Sequence, residues 1–66
     1  MEQTVKRARP LSPQALSEYF DVPLQTIYRW RTEGKGPKGY RVGKFVRYRL
    51  EDVEAWELEQ LDKDSA

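Results

Sequence analysis

Sixty-six residues suffice for one small domain, and a chain this short buries a core of modest size. It has neither cysteine nor histidine, which excludes disulfides, zinc fingers, thiol chemistry and a histidine base. The net charge of +1 conceals a split: residues 1–49 carry eleven Lys/Arg against four Asp/Glu, and residues 50–66 carry one Lys against seven Asp/Glu. A basic half of this kind suits a polyanion, and a solvated surface with clustered charge fits equally well. No apolar run approaches the length of a signal sequence or a membrane span, so the chain reads as soluble, intracellular and cytoplasmic, with no membrane partner.

Residues 1–10, MEQTVKRARP, lack apolar periodicity and carry Lys6, Arg7 and Arg9. They are expected to form a flexible basic arm. Ser12-Pro13 is a helix start, with serine as N-cap and proline at the first helical position. Leu16, Tyr19 and Phe20 follow at helical spacing, which predicts a helix over about 13–20. Asp21 stands where the chain must turn, and Asp tolerates the left-handed backbone better than most residues.

A second helix is predicted to open near Pro23. Leu24, Ile27 and Trp30 recur at threes as its buried stripe, and Gly34 stops it. Gln25, Tyr28, Arg29 and Thr32 fall on the opposite side. Residues 34–39, GKGPKG, read as a connector with two lysines, Lys35 and Lys38.

The stretch YRVGKFVRYRL alternates apolar and basic residues around Gly43, which predicts a hairpin. A two-residue Gly43-Lys44 turn would set Val42 opposite Phe45. A three-residue Gly43-Lys44-Phe45 loop would set Val42 opposite Val46 and Tyr40 opposite Tyr48. The apolar residues would then share one face, and Arg41, Arg47 and Arg49 the other, so patterning favours the three-residue loop. The final segment, LEDVEAWELEQL, begins with two acids, as a helix N-terminus prefers. Val53 and Trp56 are expected to dock on the core. Residues 61–66 are expected to form an acidic tail.

No carboxylate pair, phosphate-binding glycine loop or metal-ligand cluster stands out, so no enzyme, cofactor, metal or small-molecule ligand is expected. The predicted order of helix, tight turn, helix, hairpin and helix makes the fold mainly α with a small β-hairpin. Two short helices joined by about three residues form a helix-turn-helix, whose second helix enters the major groove.

Four stretches occur in a telling order: FDVP at 20–23, TIYRW at 26–30, RVGKFVRYR at 41–49 and EDVEAW at 51–56. Together with Ser17, they make residues 11–59 resemble the small winged helix-turn-helix domains of phage and plasmid excisionases. These recombination directionality factors are related to the DNA-binding domain of MerR-like regulators. Asp21 and Pro23 stand where that family usually has a turn glycine and a capping serine, and Asp21 is expected to supply the cap oxygen instead.

The resemblance implies a winged helix-turn-helix domain over residues 11–60, double-stranded DNA as partner and a phage integrase as second partner. It also implies action on the DNA of a bacterial host and a role in DNA bending and excision. Gln25 and Arg29 face the reading side, where glutamine suits adenine and arginine guanine. Thr26 belongs to the same recognition helix. Arg31 and Thr32 are expected at the DNA backbone. Tyr28 is open between packing on the helix flank and meeting a phosphate or a thymine methyl.

Lys44 and Arg47 of the wing are expected at the minor groove or flanking phosphates, with Lys35, Lys38 and Arg41 adding contacts. Arg41 and Arg49 have a second option, pairing with the acidic last helix. Phe45 is either a tip anchor or simply exposed. Small size suggests cooperative self-association along DNA. Two other functions fit the same chain: a small winged-helix transcription regulator, and a protein-interaction adaptor whose charge is incidental.

Overall fold

A computed structural model describes residues 9–65. Residues 1–8 of the expected basic arm, and Ala66, lie outside the described residues. The elements run α1 (Pro13–Phe20), α2 (Leu24–Glu33), β1 (Gly39–Val42), β2 (Phe45–Tyr48) and α3 (Leu50–Ser65). This is the expected winged helix-turn-helix, with the two strands forming the wing.

Local chemistry explains the helix boundaries. Ser12 caps α1 by accepting the Ala15 N–H at 3.1 Å, with proline in the first turn. Asp21 ends α1 in the left-handed region at φ 56, and its N–H reaches the Glu18 carbonyl. The turn is fixed by Ser17, whose hydroxyl donates to the Val22 carbonyl while its own carbonyl accepts the Val22 N–H at 3.0 Å. The small residue in α1 is therefore a hydrogen-bonding clasp as well as a gap for close packing.

At the start of α2 the Pro23 carbonyl accepts the Thr26 N–H at 2.9 Å, and no side chain caps the helix. The expectation that Asp21 would supply the cap oxygen is corrected. A capping oxygen must come from the residue that flanks the first turn; that residue is Pro23, which has none. Gly34 closes α2 at φ 72.

The core is Leu16, Ile27, Tyr48 and Val53, one residue from each of α1, α2, β2 and α3. Leu11, Phe20, Val22, Trp30 and Val46 pack against it. Phe20, Trp30 and Trp56 form an aromatic cluster joining the three helices, with centroids 5.0 to 6.3 Å apart. The Tyr19 hydroxyl donates to Glu57 at 3.1 Å and ties α1 to α3. Beyond Trp56 helix α3 continues through its acidic end to Ser65, leaving Leu58 and Leu61 exposed.

The connector folds back over α2: the Lys35 N–H reaches the Trp30 carbonyl at 2.7 Å, and Gly36 lies against the Trp30 ring. Gly36 has φ +79, and a Cβ there would sit 2.9 Å from a Trp30 ring carbon. Gly34 is equally left-handed, but a Cβ there meets nothing within 4 Å. Gly36→Ala is therefore expected to cost about 1–3 kcal/mol through backbone strain and ring displacement, lowering the melting temperature by roughly 4–24 °C. Gly34→Ala carries the backbone penalty alone and should melt higher than Gly36→Ala. Equal melting temperatures for the two would show that contact with Trp30 contributes nothing.

The hairpin register differs from the expected one. The pairs are Gly39–Tyr48, Tyr40–Arg47, Arg41–Val46 and Val42–Phe45, which leaves a two-residue Gly43-Lys44 turn. Gly43 has φ 63, while Lys44 keeps a negative φ, the pattern of a tight hairpin turn with glycine first. Turn chemistry thus overrides the apolar alternation that favoured a three-residue loop. Tyr40, Val42, Phe45 and Arg47 consequently share one face, and Gly39, Arg41, Val46 and Tyr48 the other. Arg41 and Arg47 lie on opposite faces, not together. The Tyr48 N–H and carbonyl also pair with Leu11, at 2.9 and 2.7 Å, so β2 is bonded on both sides at its root.

Candidate nucleic-acid interface

Helix α2 has two sides with different burdens. Ile27 is fully buried, and Leu24 and Trp30 flank it half-buried. Turning 100° per residue from Ile27 brings Gln25, Arg29 and Thr32 to the far side and Tyr28 to one flank, and all four are exposed. The outward row therefore follows from the inward one, because the same 3.6-residue period sets both. Thr26 sits half-buried on the flank, and its N–H is held by Pro23.

The side chains of Arg29 and Gln25 make no hydrogen bond or ion pair with any described residue. Their polar groups are available to a ligand without breaking an internal contact. Thr32 differs, because its hydroxyl donates to the Tyr28 carbonyl one turn earlier, at 3.0 Å. That leaves the oxygen as an acceptor and the methyl as an apolar contact. Tyr28 is 51% exposed on the flank of α2, on the side of Tyr48.

Arg31 takes a position the sequence did not suggest. It is exposed, but its guanidinium lies where a side chain on Gly39 would collide, 3.1 Å from a hypothetical Cβ. Burial pushes the Tyr48 phenol above its ordinary pKa, and the nearby Arg31 cation acts in the opposite direction. Arg31 thus bridges the end of α2 and the root of the wing. Gly39 lacks a side chain because the Tyr48 ring and Arg31 fill that space.

On the connector, Lys35 stands 3.6 Å from Glu33 in an exposed pair of little energetic weight, and Lys38 is exposed. On the wing, Arg41 is exposed and forms no ion pair among the described residues. Its expected option of pairing with α3 is not used. Arg49 does pair with that helix, at 3.0 Å from Glu51 and 3.1 Å from Asp52, and the Asp52 hydrogen bond raises its pKa.

Lys44 is exposed at the turn, with its ammonium 5.9 Å from the Phe45 ring centroid. Arg47 is half-buried; it donates to the Val46 carbonyl at 2.7 Å and lies 5.5 Å from the same ring. From Gly34 to Arg49 there is no acidic residue, while Lys35, Lys38, Arg41, Lys44, Arg47 and Arg49 are basic. Among the described residues, no cluster of three or more metal-ligating side chains occurs. No described helix is long and apolar enough to cross a membrane.

A family model described as a helix-turn-helix domain matches residues 10–60, from the residue before Leu11 into the second half of α3. No curated protein and no solved structure matches the chain.

Proposed function

The chain belongs to the helix-turn-helix domain family, and from that membership we propose that it is a sequence-specific DNA-binding architectural protein that acts as an excisionase. In this reading α2 enters the major groove, with Gln25, Tyr28 and Arg29 toward base edges and Arg31 and Thr32 toward the strand. The connector and wing follow an adjacent stretch of backbone through Lys35, Lys38, Lys44 and Arg47, while Arg41 lies on the wing's other face. The protein bends the DNA beside an attachment site and helps an integrase run excision, without cutting DNA itself.

The observation that carries the reading is the acid-free run of basic residues over 34–49 beside a helix whose outward Gln25 and Arg29 side chains make no hydrogen bond or ion pair with a described residue. A protein-interaction adaptor would gain nothing from that arrangement. In this reading five basic side chains, Arg31, Lys35, Lys38, Lys44 and Arg47, meet phosphates. If each neutralises one, the logarithm of the binding constant should fall with the logarithm of salt at a slope of about −4.5. Affinity would then drop about 500-fold between 50 and 200 mM salt. Salt-insensitive or absent binding would favour the adaptor.

The excisionase role is tested by adding the protein to an integrase acting on joined attachment sites. Excision should increase and integration decrease. Unchanged recombination with repression of a neighbouring promoter would make the protein a transcription regulator on the same fold.

A further inference from the structure

The tip of the wing carries an apolar pair that the core does not use. Val42 and Phe45 face each other directly across the last rung of the hairpin and are 56% and 55% exposed. The hairpin's contribution to the core comes from its other face, through Val46 and Tyr48. The turn beyond the pair is Gly43-Lys44, and a Cβ on Gly43 would meet nothing within 4 Å. Two cations flank the Phe45 ring, Lys44 at 5.9 Å and Arg47 at 5.5 Å. The nearest acids in the chain are Glu33 and Glu51, outside the wing on either side.

We infer that Phe45 is a DNA wedge: its ring enters one base step in the minor groove beside the site held by α2 and unstacks it. This deepens the proposed function and rests on its DNA-binding part. The chemistry fits on both counts. An apolar ring at a protruding tip gains little in water but finds a flat apolar partner in a parted base stack. The step is bounded on each strand by a phosphate, and Lys44 and Arg47, at 5.9 and 5.5 Å from the ring centroid, supply positive charge beside it. Pyrimidine–purine steps part most readily, so the wedge should select one of those. Val42 supports the ring from the facing strand.

The competing role for the Val42–Phe45 pair is purely internal, a cross-strand contact that steadies the hairpin. Phe45→Thr separates the two, because threonine keeps strand preference but is too small and polar to part bases. Phe45→Leu keeps an apolar wedge. The probe is a duplex selected by the protein from a random pool, with 2-aminopurine placed in turn at each pyrimidine–purine step beside the selected motif. Fluorescence donors and acceptors at its ends report bending.

The wild type and Phe45→Leu should brighten 2-aminopurine at one step and kink the duplex by about 20–90°. Phe45→Thr, with an unchanged circular dichroism spectrum, should still bind but leave the base dark and the duplex straighter. Binding by the wild type without brightening at any step would overturn the wedge and leave DNA recognition intact, as would a Phe45→Thr protein that brightens and bends like the wild type. Failure of the wild type to select any duplex would remove both the wedge and the DNA-binding reading beneath it.

Discussion

Ile27→Ala is expected to abolish or nearly abolish the folded state at physiological temperature. Ile27 is fully buried in the cluster of Leu16, Tyr48 and Val53, where each supporting element contributes a single residue. Removing its outer carbons forfeits their transfer free energy and leaves a hole that four short elements cannot close, a loss of about 2–5 kcal/mol. A domain of this length has on the order of 3–10 kcal/mol to lose, at about 0.05–0.15 kcal/mol per residue. The melting temperature should fall by roughly 8–40 °C, or the cooperative transition should vanish. Ile27→Val deletes one methylene and should cost only about 0.5–1.5 kcal/mol. A circular dichroism melt of the three proteins checks the order. If the alanine variant melts within a few degrees of the wild type, the core does not depend on α2 in the way its burial indicates.

Arg29→Ala, two residues along the same helix, should do the reverse: leave the fold intact and remove specificity. Arg29 is exposed and bonded to no described residue, so its loss breaks no internal contact. Substitution by alanine at an exposed helical site is neutral or slightly favourable for the helix. In the proposed complex its guanidinium meets a guanine edge through two parallel hydrogen bonds, worth about 1–3 kcal/mol of discrimination. Affinity for the preferred site should therefore fall about 5- to 150-fold, at about 1.4 kcal/mol per tenfold. Affinity for unrelated DNA should fall much less. Arg29→Lys keeps the charge but not the two-pronged geometry, and should recover little of the specific binding. Titration of both duplexes by fluorescence anisotropy gives the two losses separately. Equal losses for the two would make Arg29 a phosphate contact and shift base reading to Gln25 and Tyr28.

The contrast between these neighbours shows what was legible in the chain. Ser12-Pro13, Asp21 and Gly34 mark helix ends by backbone chemistry confined to a few residues, and the structure bears out each of them. The inner stripe of Leu24, Ile27 and Trp30 is a periodic signal, and its complement on the outer side comes with it. For the same reason Val53 and Trp56 were recognisable as the docking residues of α3.

Where two local rules conflicted, the sequence alone did not decide. In the hairpin, apolar alternation favoured a three-residue loop, whereas glycine in the first turn position favoured two. The tight turn prevailed because Gly43 takes the positive φ that a two-residue turn needs in its first position. That register moved Phe45 out of the loop and onto an exposed rung with Val42.

Other features were set partly within two or three residues and partly between elements that meet in space. Asp21 could not cap α2 once the turn had set Pro23 at the flanking position. Arg49 found its acids at the start of α3, whereas Arg41, on the opposite strand, did not. Arg31 reached the wing because Gly39 leaves it room beside Tyr48. By itself the sequence determined the elements, their ends and the two-sided character of α2, since these are set by interactions within a few residues. Tertiary structure decided the seat of Arg31 beside the wing and the exposure of the wing's tip. Each of those is a competition between contacts that form only after the chain has closed on itself.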